Sequence, residues 1–449
     1  MNRFFNESIE TMDRPELDRL IDERIRYTVK YAGEHSPFYK KWFREQGIDP
    51  DDVHTHEDLL KLPVISGKTI RENQPPESSD FNFRSVSWNE VYTIHETSGT
   101  SGVPKSFFLT WKDWERYAEK YSRALTAQGF GPGDRVIVCS SYGMNIGANT
   151  MTLAAKDIGM TMIPEGKCTF PLRIIRNYRP TAIIGSVFKL LGLARRMEME
   201  KISPKDSSVE RLIIGGESFA AESRDYIEEI WGCDAYNIYG STEGTMCGEC
   251  SQKAGLHVPE DLVHLDVYDP DMGGFVKDGE CGRIVLTTLI PPGEKCGTLL
   301  INYDTEDTTV VLSREKCQCG RTHMKILYPQ RESETFWVEG TPFNRVDVER
   351  GVFQRGNMAY LTGEYEAFLY GGDDEGETAM RLSLECKDPD RCDKKMIEEN
   401  FLGSFFKYKP HLSEAYSIGT FKVIFNFIGQ GGLELYRLKG RPKRIVDRR

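Results

Sequence analysis

The chain has 449 residues, of which 39% are hydrophobic, 11% aromatic and 28% charged, a composition typical of a globular protein with a sizeable core. Its 58 Lys and Arg residues against 69 Asp and Glu give a formal net charge of -11, which disfavours sequence-independent binding to nucleic-acid phosphates or to anionic membranes. The first residues carry acidic side chains where a signal peptide needs a basic and then an apolar stretch, and no apolar run approaches membrane-spanning length. The 11 cysteines are irregularly spaced apart from Cys317 and Cys319, so we expect a cytoplasmic protein with reduced thiols rather than a disulfide framework.

Helical patterns come first along the chain. Residues 15–47 place apolar and aromatic side chains at helical spacing, which predicts two amphipathic helices. Residues 55–73 predict two further short helices on either side of Leu62 and Pro63, and residues 78–87 are polar and predict a loop.

From residue 91, short apolar runs such as VYTIHE, RVIVCSSY and MTMIP alternate with helical patterns. This alternation predicts crossover units around a largely parallel sheet. Two apolar strands run into glycine-containing turns at 214–217 and 239–244, and ligands of open parallel sheets bind beyond the carboxyl ends of such strands.

From about residue 258 the pattern changes to short strands separated by turns, which predicts an antiparallel β region. A polar, acidic connector follows at 331–340, and the remaining segment has the pattern of an independent α+β unit. The sequence therefore predicts an α/β protein with a large domain at 1–331 and a small one at 332–449.

The sharpest motif is Thr97-Ser-Gly-Thr-Ser-Gly-Val-Pro-Lys105. Its hydroxyls, glycines, exposed backbone N–H groups and lysine suit a polyphosphate, although no glycine directly precedes the lysine as in a Walker A sequence. A solvated Ser/Gly linker is the alternative interpretation of such a run by itself.

This loop is followed by Gly131-Pro-Gly-Asp134, Tyr239-Gly-Ser-Thr-Glu243 and Tyr303-Asp-Thr-Glu-Asp307, in the order and rough spacing of adenylate-forming enzymes. The chain thus resembles the acyl-CoA synthetase superfamily. HSPFYKKWFREQGIDPDDV, HEDLLKLPVISGKTIREN and the closing KRIVDRR resemble the phenylacetate-CoA ligase family in particular, including its deazaflavin-coenzyme synthetase branch. The resemblance implies an AMP-binding and acyl-pocket domain at 1–331 and a mobile lid domain at 332–449.

The resemblance also implies roles in binding ATP or AMP. Tyr239 would lie against adenine, Asp307 would bind the ribose hydroxyls with help from Arg331, and Thr100 and Glu243 would position magnesium. Lys105 and Glu243 are implied as catalytic. The implied nucleotide-binding set is Thr97, Ser98, Gly99, Thr100, Ser101, Gly102, Lys105, Gly216, Glu217, Tyr239, Gly240, Ser241, Thr242, Asp307 and Arg331.

The acyl pocket is implied on two sides. Tyr142, with Gly143, Gly147 and Ala148, matches the family's aromatic residue and its wall of small residues, and the turn Gly215-Gly-Glu217 matches the other side. Gly240 would leave room for substrate and nucleotide. For Tyr142, plain packing beside glycines is the alternative.

Cys317-Gln-Cys319-Gly-Arg-Thr-His323 resembles half of a zinc knuckle, and Cys250 and His257 lie upstream. Members of the family carry the same CxCGRTH element, which implies structural zinc on Cys250, His257, Cys317 and Cys319, with His323 in reserve. Buried thiols are the alternative.

The sequence departs from the family near its C-terminus. Alignment on KRIVDRR puts Arg441 where the family has its adenylation lysine, and Lys443 lies two residues away, so both are candidate catalytic residues. Asn302 stands where the family usually has arginine.

Three hypotheses follow. The first is an AMP-forming ligase that converts a small carboxylic acid, aryl or arylacetic, to acyl-AMP and then to a coenzyme A thioester. The second is a synthetase that adenylylates another acceptor, such as a deazaflavin coenzyme. The third is a nucleotide-binding protein with impaired adenylation. Dimers are common among similar proteins, so a homodimer is one expectation, with neither nucleic acid nor membrane as a partner.

Overall fold

The computed structural model describes residues 3–97, 102–166, 171–371, 377–438 and 441–449. The chain divides into two compact units. The first contains residues 1–185, 211–216 and 236–330, and the second contains 186–210, 217–235 and 331–449.

The helices of the described residues are bounded as follows: α1 Glu7–Glu10, α2 Arg14–His35, α3 Pro37–Gln46, α4 His56–Leu59, α5 Gly67–Glu72, α6 Trp111–Ala127, α7 Gly147–Ile158, α8 Pro171–Tyr178, α9 Val187–Met199, α10 Ala221–Trp231, α11 Arg345–Val352, α12 Lys394–Phe406 and α13 Pro410–Ile418. Short 3-10 helices occur at Pro50–Asp52, Trp88–Glu90, Pro204–Asp206, Glu332–Glu334 and Asn357–Ala359.

The strands are β1 Thr93–Glu96, β2 Ser106–Leu109, β3 Arg135–Val138, β4 Thr161–Ile163, β5 Ala182–Gly185, β6 Arg211–Gly215, β7 Asp234–Gly240, β8 Met246–Gly248, β9 Leu256–His257, β10 Val263–Asp269, β11 Gly274–Phe275, β12 Cys281–Thr288, β13 Tyr303–Ser313, β14 Lys325–Ile326, β15 Gln330–Arg331, β16 Thr335–Val338, β17 Thr341–Asn344, β18 Leu361–Gly371, β19 Thr378–Cys386, β20 Phe421–Gly429, β21 Arg437–Leu438, β22 Arg441–Pro442 and β23 Ile445–Asp447.

One mixed sheet organises the first unit, in the strand order β11-β10-β12-β13-β14-β9-β8-β7-β6-β5-β3-β4. Strands β4, β3, β5 and β6 are parallel, and the apolar runs of β3, β5 and β6 are almost entirely buried. From β7 to β8 and onward the pairing is antiparallel. The predicted parallel sheet followed by an antiparallel β region is confirmed.

The N-terminal helices follow the predicted periodicity. Helix α2 buries Leu17, Ile21, Ile25 and Val29 on one face, in the main core cluster of the unit. Helix α3 begins after Ser36, whose side chain accepts a hydrogen bond from the backbone N–H of residue 39, and ends at a left-handed glycine. The predicted pair of short helices is present as α4 and α5.

Two strand predictions need correction. The run VYTIHE forms β1, but β1 pairs antiparallel with β2 instead of joining the parallel sheet, because the connection of Thr97 to Lys105 is too short for a crossover. The run GTLLINYDTED becomes strand only from Tyr303, because Asn302 has a φ of 45° that interrupts the extended backbone.

The second unit contains an α+β arrangement, as predicted for the C-terminal segment. Its sheet has the order β20-β19-β18-β23, with helices α11, α12 and α13 in the same unit. The unit also includes α9 and α10, so it is larger than the predicted domain of 332–449. One buried link within it is Arg345, which forms ion pairs with Glu217 at 3.0 Å and with Glu349 at 2.6 Å.

No helix among the described residues is both long and apolar enough to span a bilayer. Most described cysteines are free thiols, but Cys139 is disulfide-bonded. The expectation of reduced thiols is therefore wrong for Cys139, because irregular cysteine spacing carries no signal for an individual bond.

Candidate active site

The hydroxyl-rich loop is the connection of an antiparallel hairpin. Strands β1 and β2 place Glu96 opposite Ser106, so Thr97 and Lys105 stand at the base of the loop. The Thr97 N–H donates to the Lys105 carbonyl, and the Lys105 N–H donates to Thr97 Oγ1, both at 3.0 Å. The predicted residues Ser98, Gly99, Thr100 and Ser101 lie outside the described residues.

Gln74 braces the same end of the loop from the segment after α5. Its buried amide donates to the Pro104 carbonyl at 2.7 Å and accepts from the Ser106 N–H at 3.1 Å. These two bonds flank Lys105 in the sequence, and they fix the backbone from which its side chain leaves.

Lys105 meets the carboxylate of Glu243 although the two residues are 138 positions apart. Its Nζ donates to Glu243 Oε1 at 2.8 Å and also to the Tyr303 hydroxyl at the start of β13. Burial alone would raise the pKa of Glu243, but the charge and hydrogen bond of Lys105 lower it below its ordinary value. The pair is therefore a largely buried cation beside an ionised carboxylate, next to the loop.

Helix α6 supports the turn that carries Glu243. The Tyr117 hydroxyl donates to the Thr242 carbonyl at 3.3 Å, and Lys120 Nζ donates to the Gly244 carbonyl at 2.7 Å. Within the turn, the Ser241 N–H donates to the Thr245 carbonyl. Burial and the charge of Arg116 lower the pKa of Lys120 to about 8.

A second polar pair joins β7 and β13. The Tyr239 hydroxyl, on β7, donates to Asp307 Oδ2 on β13 at 2.6 Å. Burial and the neighbouring Asp307 charge raise the pKa of Tyr239 well above its ordinary value. The structure thus brings together two motifs that the sequence separates by more than sixty residues.

Small residues and tyrosines lie near the end of β7. A Cβ atom on Gly240 would be 3.3 Å from the Tyr121 hydroxyl, and one on Gly147 would be 3.4 Å from the same oxygen. Tyr142, half-buried, shares a 3.1 Å hydrogen bond with Thr152 and packs beside Ala148 in one hydrophobic cluster, while Gly143 is exposed.

The opposite turn is tight as well. Gly215 ends β6, where a Cβ would be 2.8 Å from the Ile238 side chain, and Gly216 has a φ of 80°. Both positions therefore favour glycine over any larger residue.

The remaining predicted residues belong to the second unit. Glu217 accepts a hydrogen bond from the Val187 N–H at 2.8 Å in addition to pairing with Arg345. Arg331 ends β15, and Arg441 begins β22. Lys443 Nζ forms an ion pair with Glu334 at 3.2 Å.

Cys250, His257, Cys317 and Cys319 form one buried cluster whose donor atoms all lie within 4.8 Å of one another. The Cys250 and Cys317 sulfurs are 3.9 Å apart, and Cys319 Sγ is 3.5 Å from His257 Nε2. His257 Nδ1 is 3.2 Å from the His323 carbonyl, so Nε2 is the nitrogen turned to the thiols. A hydrogen bond from His257 lowers the pKa of Cys317.

His323 takes no part in this cluster. Its Nδ1 accepts from the Glu260 N–H at 3.0 Å, and its Nε2 is 3.0 Å from the Ile9 carbonyl. His323, predicted as a reserve zinc ligand, instead makes hydrogen bonds with backbone groups.

Several residues around the site carried no motif signal. They are Gln74, Tyr117, Lys120 and Tyr121, whereas Tyr303 opened a motif but was given no role of its own. The spacing of Tyr117, Lys120 and Tyr121 on one face of α6 was the available signal, but it has the same pattern as an ordinary core-facing helix.

The AMP-binding enzyme family matches residues 18–288. Phenylacetate-coenzyme A ligase of Thermus thermophilus is 31% identical over 328 residues, which span 72% of this chain and 72% of that enzyme. The Pseudomonas putida enzyme of the same name is 30% identical over 386 residues, spanning 84% of each chain.

Solved structures share the fold at lower identity. A structure of 2-hydroxyisobutyryl-CoA ligase in the postadenylation state, in complex with 2-HIB-AMP, has a TM-score of 0.82 at 21% identity and covers 100% of this chain and 93% of its own. The anthranilate CoA ligase AuaEII in complex with anthranoyl-AMP has a TM-score of 0.55 at 15% identity over 82% of this chain and 68% of its own. The predicted α/β fold class is confirmed.

Proposed function

This chain belongs to the AMP-binding enzyme family and, within it, to the phenylacetate-CoA ligases, and from that premise we propose that it makes a coenzyme A thioester from ATP and an aryl or arylacetic acid. In the first half-reaction a carboxylate oxygen attacks the α-phosphorus of ATP, and pyrophosphate leaves. In the second, the sulfur of coenzyme A attacks the acyl carbon, its proton is lost, and AMP leaves.

The observation that carries the proposal is the largely buried Lys105–Glu243 pair, with side chains 12% and 11% exposed, at the base of the hydroxyl-rich loop. Attack on the α-phosphorus builds negative charge on the phosphates, and a fixed cation with backbone donors stabilises that charge most where water is excluded. Lys105, with the loop from Thr97 to Gly102, is our assignment for this role.

Magnesium fits the same place. Glu243 is an ionised carboxylate beside the loop, and magnesium takes one or two protein carboxylates together with phosphate oxygens and water. We assign Glu243 and Thr100 to the metal, which would neutralise phosphate charge when bound.

The nucleoside is assigned to the second polar pair. Tyr239 offers a ring face for adenine, and Asp307 offers a carboxylate whose oxygens can accept from the two ribose hydroxyls. The acyl group is assigned to the small-residue wall of Gly240 and Gly147 under Tyr121, with Tyr142 and Ala148 alongside.

Structural zinc is our proposal for the cysteine cluster. A tetrahedral zinc with usual bond lengths holds two sulfurs about 3.8 Å apart, and a sulfur and a nitrogen about 3.6 Å apart. The cluster has 3.9 Å and 3.5 Å. Four protein ligands leave no open position, so the metal would clasp β9 to the loop before β14.

Elemental analysis tests the zinc proposal. Cys317→Ser should remove the thiolate-bound zinc and lower the melting temperature, because part of the metal-binding free energy stabilises the fold. Cys281→Ser, at an exposed free thiol, should retain both zinc content and stability. Equal zinc content in the two variants would contradict the proposed ligands.

The alternative acceptor rests on Asn302 and Arg441, and the structure gives Asn302 another role. Its buried amide donates to the carbonyls of Leu59 and Leu62 at 2.8 Å and 3.0 Å, so it holds the turn after α4. Arg441 then remains as the difference from the family sequence that favours a different acceptor or impaired adenylation.

The decisive experiment is pyrophosphate release with magnesium and ATP across a panel of aryl, arylacetic and aliphatic acids, with and without coenzyme A. Acid-dependent release with thioester formation supports the ligase and names its substrate. A stable adenylylated deazaflavin made without coenzyme A supports the alternative, and ATP binding with no turnover of any acid supports the impaired protein. Cytoplasmic location and a homodimer remain predictions for fractionation and sedimentation.

A further inference from the structure

The first unit contains a second cluster of metal-ligand residues. It consists of His56, at the start of α4, and His264 and Asp266, which are two positions apart on β10. The donor atoms of the three side chains all lie within 4.8 Å of one another.

The strand pattern makes this cluster unusual. Val263, Leu265 and Val267 enter the main core cluster, so His264 and Asp266 share the other face of β10. Both are nonetheless buried, with 3% and 7% of their surface exposed. Buried imidazole and carboxylate groups require partners that compensate for lost hydration.

Hydrogen bonds within the cluster compensate for only part of the lost hydration. His56 Nε2 is 2.9 Å from Asp266 Oδ1 and makes a hydrogen bond with it. His264 Nε2 is 3.1 Å from Asp266 Oδ2, an ion-pair distance, and His264 Nδ1 has no hydrogen-bond partner among the described residues. A buried imidazole directed at a carboxylate in this way is a candidate metal ligand.

The distances fit one metal ion. Ligand atoms held at about 2.1 Å from a metal and at right angles to each other are about 3.0 Å apart. The distances of 2.9 Å from His56 to Asp266 Oδ1 and 3.1 Å from His264 to Asp266 Oδ2 bracket that value, so both oxygens of the carboxylate would bind the ion. The His56 and His264 rings lie 4.4 Å apart at 61°, so they approach the carboxylate from different directions.

The solvent access and the local charge of the three residues are also suitable for a metal ion. The His56 side chain is 31% exposed, which leaves a side from which an ion and its waters can enter. The neighbouring cation Arg314 is paired with Asp278 at 2.9 Å, so part of its charge is already neutralised.

We propose that His56, His264 and Asp266 form a second metal site, which binds a divalent transition metal through two imidazoles and one carboxylate and is separate from the cysteine cluster. Two histidines and one carboxylate with open positions suit Zn2+, Fe2+ or Co2+. The bound ion joins α4 to β10 and so fixes the segment that leads to α5, where a Cβ on Gly67 would be 3.4 Å from Lys105 Nζ.

Cobalt titration of the metal-free full-length protein tests the proposal, because cobalt bound by thiolates absorbs strongly by charge transfer and cobalt bound by imidazole and carboxylate does not. Equilibrium dialysis counts the bound ions. We expect the wild type and Cys317→Ser both to bind a cobalt ion that lacks thiolate absorption. Any cobalt bound by the thiolates is counted separately.

Variants identify the ligands. His264→Asn and His56→Ala should weaken the binding of this cobalt by on the order of tenfold or more, while His54→Ala, at an exposed histidine two residues from His56, should leave it unchanged. His56→Ala removes a half-exposed side chain and keeps the test valid if His264→Asn does not fold.

Two results would overturn the proposal. One is a wild type in which all bound cobalt shows thiolate absorption. The other is a folded His56→Ala or Asp266→Asn variant that retains the second ion with unchanged affinity, which would leave the three residues as a hydrogen-bonded network.

Discussion

The Lys105–Glu243 pair combines two groups that would each be costly to bury alone. Burial raises the free energy of either charge, and the 2.8 Å contact compensates for both. The lowered pKa of Glu243 means that the carboxylate is ionised at neutral pH, as a magnesium ligand must be.

Glu243→Gln should reduce pyrophosphate release on the order of a hundredfold, because the amide keeps the shape but loses the charge. Steady-state kinetics at saturating acid measures the effect. Glu77→Gln, at an exposed carboxylate, is the matched control and should behave as the wild type. Equal rates for both variants would exclude Glu243 from the reaction.

Lys120 should make stability depend on pH in the alkaline range. Its folded pKa of about 8 lies below the ordinary 10.5, so the unfolded chain binds the proton more tightly between these values. The cost of burying the charge is fully present below about pH 8 and is relieved as the pH rises toward 10.5, which corresponds to roughly 3 kcal/mol.

Urea unfolding at several pH values isolates this effect. The unfolding free energy of the wild type should rise relative to that of Lys120→Met from about pH 8 to about pH 10. Lys112→Met, which removes an exposed lysine from the same helix, should follow the wild type. A constant difference between wild type and Lys120→Met would mean that Lys120 titrates normally.

At the level of elements, the contact of α6 with β8 depends on a missing side chain. A Cβ on Gly248 would be 2.4 Å from Ala124 Cβ, so the strand approaches the helix at a distance that only glycine permits. Because α6 also holds the 241–245 turn, this contact positions the candidate site.

Gly248→Ala should therefore cost roughly 1–3 kcal/mol of stability, since helix and strand must separate to admit a methyl group. Thermal unfolding measures the loss. Gly274→Ala is the control, because the new methyl group would have no atom within 4 Å apart from its chain neighbours. Similar melting temperatures for the two variants would show that the contact can relax.

Sequence periodicity predicted α2 and α3, because each buries a stripe of apolar residues that repeats along the chain. Pairing was harder to predict. Alternation identifies β1 as a strand but does not specify its partner. The short connection to β2 permits only an antiparallel pair.

At the scale of the whole molecule, the candidate site could be predicted only through ordered motifs. Lys105 and Glu243 are 138 residues apart, and composition and periodicity carry no information about such a contact. The supporting residues Gln74, Tyr117 and Lys120 act through backbone carbonyls and amides, which leave no motif in the sequence.

The two half-reactions provide a test that involves the second unit. Arg441 lies in β22, which pairs with β21 in a small hairpin, and the chain is anchored just beyond it by Arg444. Arg444 is buried, forms an ion pair with Glu364 at 2.6 Å and donates to the Tyr365 carbonyl at 2.9 Å. The hairpin that contains residue 441 thus has a fixed base.

If Arg441 takes over the charge of the family's adenylation lysine, Arg441→Ala should slow acyl-AMP formation at least tenfold and change thioester formation from supplied acyl-AMP by less than about threefold. Single-turnover assays of each half-reaction measure the two rates. Arg391→Ala, which removes a side chain that is 88% exposed in the same unit, should leave both rates unchanged.

Faster adenylation in Arg441→Lys would indicate that the arginine limits this step, because its planar fork holds the carboxylate and phosphate less closely than a compact ammonium. Equal slowing of both half-reactions by Arg441→Ala would instead place Arg441 in the structure of the hairpin.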